Sequence, residues 1–146
     1  MAHNTLGTVV HDSLEYLYKP YVNKILVEEN LKIIKSKASE MVELQFKTHF
    51  KSGDTATGKN RLINEVANQF VVNFLNKELE DIKAGKEIVV KDLEREYKVS
   101  FTTPKGHTIT LKGKIDRVDE VDGVRRIVDY KTGKVEDKDL KLSDCL

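Results

Sequence analysis

Glu94, Asp116, Asp129 and Lys131 have the types and spacing to hold a divalent cation and act on a phosphate ester. Asp129 and Lys131 are two residues apart, so on a strand both side chains leave the same face. Hard oxygen ligands of this kind suit magnesium, which keeps several waters and takes one or two carboxylates plus substrate phosphates. A lysine on the acid-bearing strand could orient or help activate the attacking water and offset charge developing on phosphate. Such a constellation is suited to phosphodiester hydrolysis. The same residues also allow a plainer arrangement, a solvated hairpin whose diagonal Asp116–Lys131 and Lys114–Asp129 contacts neutralise the face.

Two turns must set the register that brings these residues together. Asp122-Gly123 lies between two alternating runs and predicts a two-residue type I′ turn, with both residues at positive φ. Closing the hairpin there pairs Val121 with Val124, Glu120 with Arg125, Asp119 with Arg126, Val118 with Ile127 and Arg117 with Val128. Two opposite-charge pairs and a β-branched pair are what a correct register shows. One further step sets Asp116 opposite Asp129, a like-charge pair that needs diagonal compensation or a bound cation. Upstream, Ile109, Leu111 and Ile115 alternate with Thr108, Thr110, Lys112, Lys114 and Asp116, the pattern of a half-buried strand with Asp116 on its polar face. Val128 and Tyr130 turn to the apolar side. In "VVKDLEREYKVSFTT", Leu93, Tyr97, Val99 and Phe101 fall on one face and Asp92, Glu94, Glu96 and Lys98 on the other. Pro104-Lys105-Gly106 predicts a three-residue hairpin with Thr103 opposite His107, which puts Glu94 opposite Asp116.

At these residues, "GKIDRVDEVDG" followed by "IVDYKTGK" resembles the paired motifs of the RecB-like exonuclease branch of the PD-(D/E)xK nucleases, a G-x-I-D-R strand, a hairpin and then D-Y-K-T-G. The resemblance implies that Asp116 and Asp129 bind the metal, together with the Tyr130 backbone carbonyl, and that Lys131 is catalytic. It favours the metal-binding arrangement over the solvated hairpin. The branch often carries a further glutamate on the preceding strand, and Glu94-Arg95-Glu96-Tyr97 resembles that setting, with Glu96 the rival of Glu94. "LGTVVHDSLEYLY" is similar to the family's opening helix, so His11 inherits a place near the metal; Glu15, one turn later, shares its helix face. Magnesium or manganese is the implied cofactor and DNA the implied substrate.

Between the opening helix and the strands, "LKIIKSKASEMVELQFKTHF" and "RLINEVANQFVVNFLNKELEDIKAGK" predict two long helices. The second has an apolar stripe of Leu62, Ile63, Val66, Phe70, Val71, Phe74, Leu75, Leu79 and Ile82 at helical spacing, which core packing explains without a cofactor. "KSGDTATGKN" joins them as a loop. Its Gly53 to Gly58 spacing is followed by Lys59-Asn60 and not by Lys-Ser or Lys-Thr, so it fails as a phosphate loop and nucleotide binding is rejected.

A net charge of +1 is no footprint of bulk electrostatic binding to nucleic acid, so recruitment must be local or delegated. Lys112, Lys114 and Lys134, with Lys131, Lys138 and Lys141 nearby, are the candidates for contacting phosphates. The single cysteine, Cys145, excludes an intramolecular disulfide or a four-cysteine cluster built by this chain alone. No apolar run is long enough for a membrane helix and no leader peptide is apparent, so a cytoplasmic location is expected.

The expected fold is α/β, a restriction-endonuclease-like core with one domain over residues 1–146, helical over 1–86 and a three-stranded antiparallel meander over 87–134. The family continues past D-Y-K-T-G into a helix with a Gln-x-x-x-Tyr motif and a further strand. Here the sequence stops at "KLSDCL" without that motif, so the resemblance implies a nuclease domain truncated at its C-terminus, from a DNA-repair helicase–nuclease with a helicase domain or subunit as partner. A catalytically silent nuclease-like module that binds DNA or holds a subunit is the alternative.

Overall fold

The computed structural model describes residues 2–49 and 58–132. Three helices come first: α1 (Ala2–Tyr18), α2 (Glu28–His49) and α3 (Gly58–Lys83), with a single 3-10 turn at Lys19–Tyr21. Three strands follow, β1 (Ile88–Thr102), β2 (Thr108–Val121) and β3 (Val124–Val128), in one antiparallel sheet of order β1-β2-β3. Lys134, Lys138, Lys141 and Cys145, and most of the loop between α2 and α3, lie outside the described residues.

The helices form because each has an apolar stripe to bury, and α2 also has charged ends that suit it. In α2, Glu28 and Glu29 occupy the first turn and Lys47 and His49 the last, complementing the helix dipole. Asn30 accepts the Val27 N–H through Oδ1 at 3.0 Å, fixing where α2 begins. Beyond α3, Gly85 adopts φ +94°, which lets Lys86 N–H reach back to the Asp81 carbonyl at 3.1 Å and stops the helix. Val9, Val10 and Leu14 of α1, Leu31, Ile34 and Val42 of α2, Val71, Phe74 and Leu75 of α3, and Ile88, Val90, Val128 and Tyr130 of the sheet end form one core. The segment after Tyr21 ties into that core as well, with Asn23 N–H on the Val90 carbonyl and Leu26 N–H on the Ile88 carbonyl. Of the expected α3 stripe, Leu62 stands outside, 60% exposed near the start of the helix.

Both hairpins close as the turn residues dictate. Asp122 and Gly123 take φ +52° and +83°, and the five pairs from Val121–Val124 to Arg117–Val128 are those expected. Thr103 N–H bonds the His107 carbonyl at 2.8 Å, and Leu93 pairs with Arg117 and Arg95 with Ile115, which sets Glu94 level with Asp116. A bulge between Val90 and Asp92 offsets the base of β1.

Two expectations need correction. β3 ends at Val128, so the ladder stops one step short of an Asp116–Asp129 pair. The half-buried strand pattern holds only at the base of the β1–β2 hairpin. Farther out, Val99, Phe101, Ile109 and Leu111 are 39–58% exposed among the described residues, because the hairpin is longer than the helical layer that covers it.

Candidate metal centre

α1 delivers the first functional side chain. Val10 and Leu14 are fully buried, which orients the helix so that His11, beside them, reaches the sheet. Gly7, one turn earlier, permits close approach: a Cβ there would stand 3.1 Å from Thr132 Oγ1, so the segment after Tyr130 lies directly on the helix.

His11 Nδ1 is 3.4 Å from Glu94 Oε1 and 3.3 Å from Asp116 Oδ1. One ligand atom from each of the three residues lies within 4.8 Å of the others. They come from α1, β1 and β2, three elements that meet only through the tertiary fold. Glu94 has φ +49°, a left-handed conformation that costs a non-glycine residue on the order of 1–3 kcal/mol. Its Oε2 is buried and has no hydrogen-bond partner among the described residues. A buried carboxylate oxygen without a donor is costly, and a cation would satisfy it. Two carboxylates and an imidazole therefore fit a divalent metal ion.

The electrostatics show how strongly the acids are crowded. Burial, then a hydrogen bond shared with Asp129 and repulsion from Glu94, push the Asp116 carboxyl up to about 6, against the opposing pull of the Tyr130 N–H and His11. Tyr130 N–H donates to Asp116 Oδ2 at 2.8 Å, in place of the ladder step that the end of β3 omits. The other member of the pair moves the opposite way: the Asp116 hydrogen bond and then Lys131 hold Asp129 below its ordinary value. For His11, burial lowers the pKa, but the Glu94 hydrogen bond and the Asp116 and Glu94 charges outweigh it and leave the imidazole raised above 6.5. Lys114 Nζ lies 3.1 Å from Glu94 Oε1, a cation already on the acid group.

The structure thus brings His11, Glu94 and Asp116 together, with Asp129 linked to the cluster through Asp116. Asp129 is itself exposed and paired with Lys131 Nζ at 3.0 Å, so these two form a solvent-facing pair. Glu15 lies near enough for Glu94 to help raise its carboxyl, after burial, but it stands outside the three-residue cluster. Glu96, the rival of Glu94, is exposed and also outside it. Tyr130 is buried, its ring edge-on to His11 at 5.3 Å and to Phe74 at 5.4 Å.

Sequence reading paired Asp119 with Arg126 but missed the buried Arg117 and its link to Glu78 behind the site. Arg117, fully buried, reaches Glu78 of α3 at 2.8 Å and Asp119 at 2.9 Å and lies over the rings of Tyr18 and Phe74. Arg126 grips Asp119 with two hydrogen bonds, at 2.9 and 3.0 Å. The signal was present: Arg117 and Asp119 fall on the odd, apolar parity of β2, where an unpaired charge would not be tolerated.

No curated protein and no solved structure matches the chain. Residues 1–144 match the family model of the PD-(D/E)XK nuclease superfamily, a group of nucleases that use divalent metals. With a family match over nearly its whole length, an α/β core of three helices and a three-stranded antiparallel sheet, and a histidine–carboxylate cluster at their junction, the chain belongs to the PD-(D/E)XK nuclease superfamily.

Proposed function

We propose that the chain is a metal-dependent exonuclease that hydrolyses DNA phosphodiester bonds, the nuclease part of a cytoplasmic DNA-repair helicase–nuclease of the RecB-like branch. The observation that carries the nuclease reading is the convergence of His11, Glu94 and Asp116 within 4.8 Å around an unpartnered carboxylate oxygen. The resemblance of "GKIDR" and "DYKTGK" to that branch supports the finer assignment.

His11, Glu94 and Asp116 hold the cation, with Asp129 and the Tyr130 backbone carbonyl as further ligands. Magnesium or manganese suits the carboxylates, and the imidazole nitrogen tilts the set toward manganese, since imidazole binds transition metals more readily. When bound, the cation supplies Lewis acidity toward the phosphate and a water of lowered pKa. Tyr130 N–H fixes one Asp116 oxygen and leaves Oδ1 facing His11. Lys131 orients the attacking water or steadies charge on the phosphate, and Lys112, Lys114 and Lys134 contact the strand.

The test is cleavage of an end-labelled DNA oligonucleotide with magnesium or manganese. Asp116→Asn and Lys131→Ala should each lower the rate by orders of magnitude, and Lys131→Ala should retain metal binding by calorimetry. Unimpaired cleavage by both variants would exclude the site, and a wild-type chain that binds DNA without cutting it would leave the silent module as the reading.

A further inference from the structure

The polar face of the β1–β2 hairpin does not end at the metal centre. Its register places Glu96 opposite Lys114, then Lys98 opposite Lys112, then Ser100 opposite Thr110, all on the side that carries Glu94 and Asp116. Lys114 confirms the shared side, since its ammonium touches Glu94 at 3.1 Å. An open groove of about 530 Å³ lies over this part of the hairpin, lined by Glu96, Lys98, Lys112 and Lys114 and floored at Tyr97 and Gly113.

Lys98 and Lys112 are the anomaly. They are a directly opposed like-charge pair, an arrangement that destabilises a sheet. Both are exposed, and among the described residues neither has an acidic partner within 4.0 Å. Other lysines of the sheet are differently placed: Lys91 stands by Glu120, and Lys114 by Glu94. Four residues separate Lys112 from Asp116, a distance of about 13 Å along the strand. A duplex strand rises about 3.4 Å per nucleotide, so the pair sits up to about four nucleotides from a phosphate at the metal centre, fewer for an extended strand.

We propose that Lys98 and Lys112 form a phosphate anchor, a subsite that clamps one backbone phosphate of the DNA strand whose scissile bond lies at His11, Glu94 and Asp116. The inference rests on the nuclease reading and adds to it the path of the strand, outward along the polar face of the hairpin. Two ammonium groups on adjacent strands bracket a single phosphate, and the anion removes the repulsion between them. No base contact is implied, so the anchor is indifferent to sequence.

The test measures binding of fluorescein-labelled oligothymidylate of 20 nucleotides, and of a 20-base-pair duplex, by anisotropy in EDTA over a range of salt. For the double variant Lys98→Gln/Lys112→Gln, affinity should fall about tenfold at low salt and the salt slope should flatten by about 0.7–0.9. A flattened slope on only one of the two probes identifies the form of DNA the groove takes. A control pair exposed on α2, Lys35→Gln/Lys37→Gln, should leave the slope unchanged. Manganese binding measured by calorimetry without DNA should be equal in the wild type and the Lys98/Lys112 variant, since the pair lies about 13 Å along the hairpin from Asp116. The melting temperature of that variant should equal or exceed the wild type's, since a repulsive pair is gone. An unchanged slope while the wild type still cleaves DNA overturns the anchor alone, as does an equal loss in the control pair. A wild-type chain that neither binds nor cleaves DNA overturns the anchor together with the nuclease reading.

Discussion

Asp116 is the residue on which the centre turns, because one oxygen is fixed by the Tyr130 N–H while the other faces His11. Its carboxyl, pushed up to about 6, is half protonated near that pH, and a cation needs it ionised. Metal affinity should therefore fall as pH drops below about 6. For the metal-free fold the sign is set by the raised folded pKa. The unfolded carboxyl titrates near 3.8, so stability from Asp116 is fully present below that pH and is lost as pH rises through about 6. His11, also raised, adds to the same trend: its contribution is present below 6.5 and lost above. Urea midpoints of the metal-free chain should decline between pH 4 and pH 7, and Asp116→Asn should flatten that decline. A wild-type profile that rises over the interval would contradict the crowding of acids described here. Parity together with the closure of the Pro104-Lys105-Gly106 turn made the Glu94–Asp116 pairing legible in the sequence, although Glu96 shares that parity. Asp129 was less so, because whether a strand runs one residue further is decided by side-chain capture of a backbone N–H, and alternation carries no sign of that.

Among the elements, β2 bears the heaviest demands, since it carries Asp116 on one side and Arg117 on the other. The Glu78–Arg117 pair fastens β2 to α3 and leaves no exposed side chain at the join. Glu78→Ala leaves Arg117 buried with Asp119 shared between two guanidinium groups, so the uncompensated charge should cost about 3–5 kcal/mol of stability. Replacing Glu78 and Arg117 together by leucine and methionine should cost much less than the single change, and equilibrium denaturation of the wild type and the two variants gives the comparison. Equal losses from the single and double variants would mean that packing, and not charge, dominates this join. Hairpin registers were readable because turn chemistry is local: Asp122 and Gly123 could adopt positive φ at little cost, and Asp122 also accepts the Glu87 N–H at 2.9 Å. The helices were readable from their stripes, although Leu62 showed that a stripe at helical spacing can outrun the surface it packs on. The exposure of Val99 and Leu111 was not readable, since period two reports which residues share a face and not whether anything covers it.

On the scale of the whole molecule, the centre joins parts of the chain far apart in sequence: 83 residues separate His11 from Glu94. α1 and the sheet are also held by core packing, but His11, Glu94 and Asp116 add a polar junction in which the two carboxylates repel each other. A metal that binds only the folded chain should stabilise it by RT ln(1 + [L]/Kd), about 2.7 kcal/mol at one hundred times Kd. At roughly 2–4 °C per kcal/mol for a chain near 150 residues, that is a shift of about 5–11 °C. Manganese titrated into the apo protein should raise the melting temperature along the logarithmic course that linkage requires, more at pH 7.5 than at pH 5.5, where Asp116 takes up a proton. Glu94→Gln should abolish most of the rise, since it removes a ligating charge while keeping the side-chain shape, and it should raise the metal-free melting temperature by relieving repulsion with Asp116. A shift of equal size in wild type and Glu94→Gln would place the stabilising metal elsewhere on the surface and separate it from the centre formed by α1, β1 and β2.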